Sequence, residues 1–215
     1  MTYWELQRHI EQQIKCMLCF DVDASPYIEM AVKRTDMCLT HTANKYCFKG
    51  TEKEIPFSVY NSLQYCIFLY HMSRVAFEKD KNGANAEKFY YLNKIMHSVD
   101  FFYAIELPAI WSAEHPLGSV MGRAKYSDYF FFYQGCTVGG NKGKYPTIGK
   151  YVTMYSNSKI LGEAIIGDNV IVAANTYIKN EIIPANSIVF GQSPNLVIKS
   201  KAEEEIKRIT AHIWQ

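Results

Sequence analysis

The sequence has no surplus of either charge, no long apolar run and no cysteine framework. Its 23 basic and 21 acidic residues leave a net charge of +2 over 215 residues. That balance lacks the broad positive field by which a nucleic-acid binder gathers phosphates, so nucleic acid is not an expected partner. The longest apolar stretches, Tyr65 to Tyr70 and Tyr129 to Tyr133, fall far short of the roughly 20 residues that span a bilayer. The opening residues, Met1 to Leu6, carry a charge at Glu5 and no apolar core of a signal peptide. The expectation is a cytoplasmic protein without a membrane span. Six cysteines, at positions 16, 19, 38, 47, 66 and 136, follow no regular spacing and read as reduced thiols. Cys16 and Cys19 form a lone C-x-x-C with no second Cys or His pair, which reads as two thiols on a helix beside Ile14, Leu18 and Phe20, and no metal is expected.

What is present divides into two kinds of text. Residues 1–105 are helical in period and rich in aromatic residues. Val59, Leu63, Ile67 and Tyr70 mark one apolar stripe and Leu92, Ile95 and Met96 another, at the i, i+3, i+4 spacing of amphipathic helices. Ser25-Pro26, Glu54-Ile55-Pro56 and the stretch Asp80 to Asn85 punctuate this half as turns and connections.

After about residue 115 the period changes to six. Ile148, Met154, Ile160, Ile166, Val172 and Ile178 occupy the first position of consecutive hexads. Four places later stand Val152, Ser158, Ala164, Val170, Thr176 and Ile182, mostly small or β-branched. An ordinary alternating sheet predicts period two and leaves this spacing unexplained. Three short strands forming a triangular coil explain it: each face points one aliphatic residue inward and places a small residue at its turn, and stacked coils bury a continuous core. The expected architecture is α+β: a helical domain over 1–105, a parallel β-helix of hexapeptide repeats over 106–198, and a short helix over 199–215 whose apolar residues are Ile206, Ile209 and Ile213.

These hexads, with Glu114-His115-Pro116-Leu117-Gly118, the run Gln134 to Asn141, Pro146-Thr147-Ile148-Gly149 and Gly191-Gln192-Ser193-Pro194, resemble the left-handed β-helix acyltransferases of the serine acetyltransferase branch. The resemblance covers about residues 105–198 and implies acetyl transfer from acetyl-CoA to a hydroxyl. Such chemistry needs a base, a group that orients it and donors for an oxyanion. His115 is the implied base, since an ordinary imidazole, with a pKa of about 6.5, is largely neutral near pH 7. Glu106 corresponds to the family's orienting acid with one six-residue coil removed, and Glu114 to the acid that helps bind the acceptor. Gly139 and Gly140 correspond to the turn along the thioester. Ser156, Ala173 and Ala174 correspond to corners along which the pantetheine arm lies, and Lys199 and Lys201 are candidates for the CoA phosphates. The resemblance also implies a homotrimer with sites shared between subunits, and a helical domain that can pair trimers.

The text departs from that family where an Arg-His pair is expected and Lys142-Gly143-Lys144-Tyr145 stands instead. Lysine lacks the planar two-point grip on a carboxylate. Lys144 and Tyr145, with the aromatic run Tyr129 to Tyr133, point to a sugar hydroxyl as acceptor, although adjacent strand residues alternate faces and some of that run must be core. Serine O-acetylation, N-acetylation of an amino sugar and a purely structural solenoid remain as alternatives. A zinc carbonic anhydrase of this fold needs three stacked histidines, and none lies between residues 116 and 211.

Overall fold

The computed structural model describes residues 2–43, 57–80 and 83–215. Cys47, Glu54-Ile55-Pro56 and residues 81–82 of the Asp80 to Asn85 connection lie outside the described residues. Four helices come first: α1 (Tyr3–Leu18), α2 (Ser25–Thr40), α3 (Ser62–Lys79) and α4 (Ala84–His97). Their starts follow local chemistry. Thr2 and Glu5 close a capping box on α1, Pro26 sits in the first turn of α2, and Asn61 accepts a hydrogen bond from the Gln64 amide at α3. α3 is buried on nearly every side, and Tyr65, Phe68 and Leu69 fill the helical core with Ile10, Ile14 and Phe89. On α4 the inward residues are Ala86, Phe89, Leu92 and Asn93. Ile95 and Met96, expected on the apolar stripe, are instead exposed. Cys16 and Cys19 are exposed, and Cys19 ends α1 in the left-handed conformation at φ 59°.

The second half is a three-faced parallel solenoid. Face one stacks β1 (Trp111–Ala113), β4 (Phe130–Phe132), β7 (Thr153–Met154), β10 (Val170–Val172) and the start of β13 (Ser187–Gln192). Face two stacks β2 (Val120–Met121), β5 (Thr137–Gly139), β8 (Lys159–Leu161) and β11 (Tyr177–Lys179), and face three β3 (Lys125–Tyr126), β6 (Thr147–Ile148), β9 (Ile165–Ile166) and β12 (Ile182–Ile183). All six first positions of the hexads are at most 2% exposed, which is the inward aliphatic column expected.

Successive coils on face one repeat from Trp111 to Phe130, Phe131 to Thr153, Thr153 to Ile171 and Val170 to Ser187, steps of 19, 22, 18 and 17 residues. The 17-residue step overturns one position. Ile182 is not a small-turn residue like those above it: it is 73% exposed, and Ile183 takes the inward place opposite Ile166 because the last hexad is one residue short.

Corners turn through left-handed backbone at Asn157, Asn169, Asn175, Asn180 and Asn186, a conformation asparagine tolerates better than most residues. Both ends of the prism are closed. At the top, Trp111 packs edge-on to Tyr70 and Phe101 and stacks on Phe132, so α3 and the first coils share one core. At the bottom, β14 (Asn195–Ser200) returns antiparallel to β13. Helix α5 (Glu203–Thr210) follows, burying Ile206 while Ile209 stays partly exposed, and residues 211–215 return to α2, with Thr42 bridging Trp214. Among the described residues no helix is long and apolar enough to cross a membrane.

Candidate active site

His115 lies at the first corner between faces one and two. Between Ala113 and Val120 this corner is two residues longer than the corner below it, which runs from Phe132 to Thr137 and pairs with the same strands. The amide of Glu114 donates to the Phe132 carbonyl and that of Gly135 to the Leu117 carbonyl, so His115 and Pro116 are the surplus. The surplus projects: His115 adopts φ 50°, an uncommon conformation for a non-glycine residue, and its side chain is 76% exposed. Its Nε2 lies 4.0 Å from Glu114 Oε1. Glu106 is elsewhere. It sits before β1, with Oε2 3.5 Å from an Arg74 nitrogen, in a cavity of about 260 Å³ that Arg34, Tyr70 and Glu78 also line. No hydrogen bond or ion pair joins Glu106 to His115 among the described residues.

The ladder on face one continues past its strands. Glu114, Tyr133, Tyr155 and Ala173 each donate a backbone N–H to the coil below, to Phe132, Met154, Val172 and Val189 respectively. They form one vertical edge, with Ser156 and Ala174 beside Tyr155 and Ala173. Below Ala173 comes Phe190, and Lys199 holds its Nζ 5.3 Å from the centre of that ring. From Glu114 to Phe190 is four coil steps, roughly 19 Å at about 4.8 Å per step. Lys201 does not join this edge: its amide bonds Asn186 at another corner and its Nζ pairs with Glu205 at 2.6 Å.

Gly139, Gly140, Lys144 and Tyr145 occupy the far end of face two, a strand length from His115, on the order of 15 Å at about 3.3 Å per residue. Val138 and Ile148 are both fully buried inward residues but ten positions apart, and the four added residues form a hairpin. Asn141 and Lys144 exchange backbone hydrogen bonds of 2.9 and 3.0 Å around Lys142 (φ 49°) and Gly143 (φ 76°), the geometry of a tight two-residue turn. A Cβ on Gly140 would lie 2.6 Å from the Tyr145 ring, so glycine is what lets that ring fold back. Lys144 Nζ pairs with Glu163 at 2.6 Å, which raises its pKa. Within one chain, then, the predicted residues other than Glu106 and Lys201 fall into two groups on two edges.

The aromatic run resolves into separate tasks. Phe130 and Phe132 are core, Phe131 lies under Trp214, and Tyr129 stacks on Tyr151 at 4.2 Å. Only Tyr133 joins the His115 edge. Its hydroxyl stands 3.3 Å from His212 Nε2, and its ring stacks on Tyr155 at 5.0 Å. Burial first, then the Glu114 charge, push its pKa up to about 12. Tyr155 and His212 were not legible as site residues, and for His212, 79 positions from Tyr133, no local signal exists.

Residues 145–180 match the family model of the bacterial transferase hexapeptide (six repeats). The chain carries hexapeptide repeats on a parallel β-solenoid, an architecture similar to that of solved serine acetyltransferases. It is 31% identical over 93 residues to the serine acetyltransferase of Helicobacter pylori, a match covering 41% of this chain and 54% of that one. The chain thus spans about half the length of the curated relatives it matches. The crystal structure of Neisseria gonorrhoeae serine acetyltransferase superposes with a TM-score of 0.65 at 21% identity, over 81% of this chain and 70% of that one. A serine acetyltransferase in complex with CoA gives 0.64 at 17% identity, over 80% and 70%.

Proposed function

We propose that the chain is an acetyl-CoA-dependent O-acetyltransferase with His115 as general base. The observation that carries this reading is the two-residue corner insertion, which lifts His115 out of an otherwise regular coil beside Glu114, at the head of an edge that also carries Ser156, Ala173 and Ala174. The edge fits the co-substrate: Ser156, Ala173 and Ala174 leave room for an extended arm against backbone, and Lys199 offers a cation at the base. When bound, acetyl-CoA supplies an activated thioester carbonyl. His115 takes the acceptor's hydroxyl proton as the acetyl group passes to that oxygen and returns it to the departing thiolate, so the base ends the cycle neutral. Glu114 orients the imidazole and offers the acceptor a carboxylate. Glu106, engaged with Arg74, serves the junction between helices and solenoid in this reading.

The two separated edges support a homotrimer, in which the Gly139-Gly140 turn, Lys144 and Tyr145 of one subunit face the His115 edge of the next. Gly139 and Gly140 then present backbone to the reacting carbonyl. The relatives' names favour a serine-like acceptor over a sugar. The stacked Tyr133 and Tyr155 rings and the 45% exposed Tyr145 keep a sugar as second reading, because aromatic faces suit sugar rings. The test is release of free CoA thiol from acetyl-CoA by the native chain and His115→Ala, offered serine, nucleotide sugars, oligosaccharides and amino sugars. Turnover with one class, lost in His115→Ala, names the acceptor. A chain that turns over none of them and binds no CoA is a structural solenoid.

A further inference from the structure

The cavity that holds Glu106 is built from three stretches of chain. From α2 come Arg34 and Met37, from α3 His71, Arg74 and Glu78, and the segment Glu106 to Ala109 closes the wall before β1. His71 and Arg74, three residues apart, share one face of α3. Tyr70 fixes the third stretch, donating its hydroxyl to the Ile105 carbonyl and accepting the Leu107 amide, each at 2.9 Å. At about 260 Å³ the space is smaller than the roughly 300 Å³ at which sites for drug-sized ligands begin, and larger than a few waters need at about 30 Å³ each.

Two polar groups in this wall lack adequate partners. His71 is 5% exposed, and its Nδ1 has no hydrogen-bond partner among the described residues. Burying an unpaired polar nitrogen is unfavourable, so a ligand that pairs it gains. The Cys38 thiol has one proton and donates it to the Ala109 carbonyl at 3.4 Å, so in its 3.6 Å contact with His71 Nε2 the imidazole is the donor. Burial, with the Arg34 charge, lowers the His71 pKa to about 3, so the ring is neutral and Nδ1 is a bare acceptor. Arg74 is the second group. Arg34 forks onto both Glu78 oxygens at 3.1 and 2.7 Å, and Arg74 Nε adds a contact of 3.1 Å to the same carboxylate. Two guanidinium charges thus share one close carboxylate. Arg74 otherwise meets the Tyr103 carbonyl at 3.3 Å and Glu106 at 3.5 Å, and Glu106 is 82% exposed whereas the Arg74 side chain is 14% exposed. We propose that this cavity is a binding site for a small hydroxy acid, whose carboxylate takes the place of Glu106 on Arg74 and whose hydroxyl donates to His71 Nδ1. Met37, Leu107 and Pro108 cover its short carbon body. The site stands apart from the acetyl-transfer reading and does not depend on it.

Calorimetric titration of the full native chain with glycolate, acetate and glycolamide tests this. Glycolate carries both groups, acetate lacks the hydroxyl and glycolamide lacks the charge. Glycolate is expected to bind, acetate roughly three- to tenfold more weakly, the worth of about one hydrogen bond, and glycolamide most weakly of the three. Glu106→Gln, at a largely exposed position, removes the resident carboxylate and tightens glycolate binding by a similar factor, a gain that misfolding does not produce. His71→Phe reduces glycolate to the level of acetate. In histidine-labelled protein the His71 Nδ1 signal moves on addition of glycolate and stays in place with acetate. Equal binding of the two acids, unchanged affinity in Glu106→Gln or an unmoved His71 signal overturns the site. So does the absence of any binding, which leaves the cavity to water. Glycolate binding retained in His115→Ala separates this site from the acceptor site. Binding lost in that variant places glycolate beside His115 and overturns the assignment.

Discussion

The lower coils, residues 147–183, and the upper coils, residues 106–146, are built from the same triangular unit and differ in regularity. Below, face one steps by 18 and 17 residues, and the inward column of Ile148, Met154, Ile160, Ile166, Val172 and Ile178 is almost wholly enclosed. Above, two surplus residues lift His115 from one corner, four build a hairpin at another, and aromatic rings replace aliphatics under the helices. Repetition produces a core that any coil could supply. Departures from it produce side chains that project, and His115, Gly140, Lys144 and Tyr145 all lie at such departures.

The largest effect should come from the upper coils. His115→Ala should lower acetyl transfer on the order of 10²- to 10⁴-fold, the range for a lost general base, with urea unfolding unchanged because the side chain touches little. A loss of stability instead would place His115 with the structural residues and erase the contrast.

Next comes the junction between the regions. His71 is buried against Trp111 with Cys38 Sγ at 3.6 Å, and burial, reinforced by the Arg34 charge, lowers its pKa from 6.5 to about 3. The unfolded imidazole takes up a proton near pH 6.5 and the folded one resists it. Stability is therefore full above pH 6.5 and falls as the pH drops toward 3, by on the order of 3–5 kcal/mol if the whole shift is expressed. Urea midpoints at pH 7 and pH 4 measure this slope, and His71→Leu should flatten it; an equally steep slope in the variant would assign the acid sensitivity to other groups.

In the lower coils, Ile160→Ala removes a fully buried side chain stacked between Val138 and Ile178. A cost of about 2–5 kcal/mol in chemical denaturation is expected, with the acceptor KM of the remaining folded protein unaltered. The smallest effect should come from the hairpin. Gly143 holds φ 76° with open space around it, so Gly143→Ala should cost about 1–2 kcal/mol through backbone strain alone. A thermal melt would lie a few degrees lower, and a change in acceptor KM would sharpen the contrast by tying this loop to the site.

Legibility followed the same division. Six enclosed positions were readable because a β-helix imposes one spacing on every coil, and only Ile182 failed, through a one-residue deletion that periodicity does not announce. Ile95 and Met96 read as apolar stripe but stand on the outer side of α4, since helical spacing marks a face without saying what covers it. Glu106 was placed with His115 by counting coils, yet Arg74, from a helix more than thirty residues earlier, holds its carboxylate.

The sequence by itself determined the period, the inward column, the helical first half and the singular position of His115, because these depend on spacings of a few residues that backbone geometry converts directly into faces and corners. Only the tertiary structure decided that Lys144 and Tyr145 stand on a different edge from His115, that Tyr133 alone of its aromatic run lies one coil below Glu114, and that His212 meets Tyr133. Those juxtapositions come from the stacking of coils and the return of residues 211–215 across face one, long-range closures that no local spacing encodes.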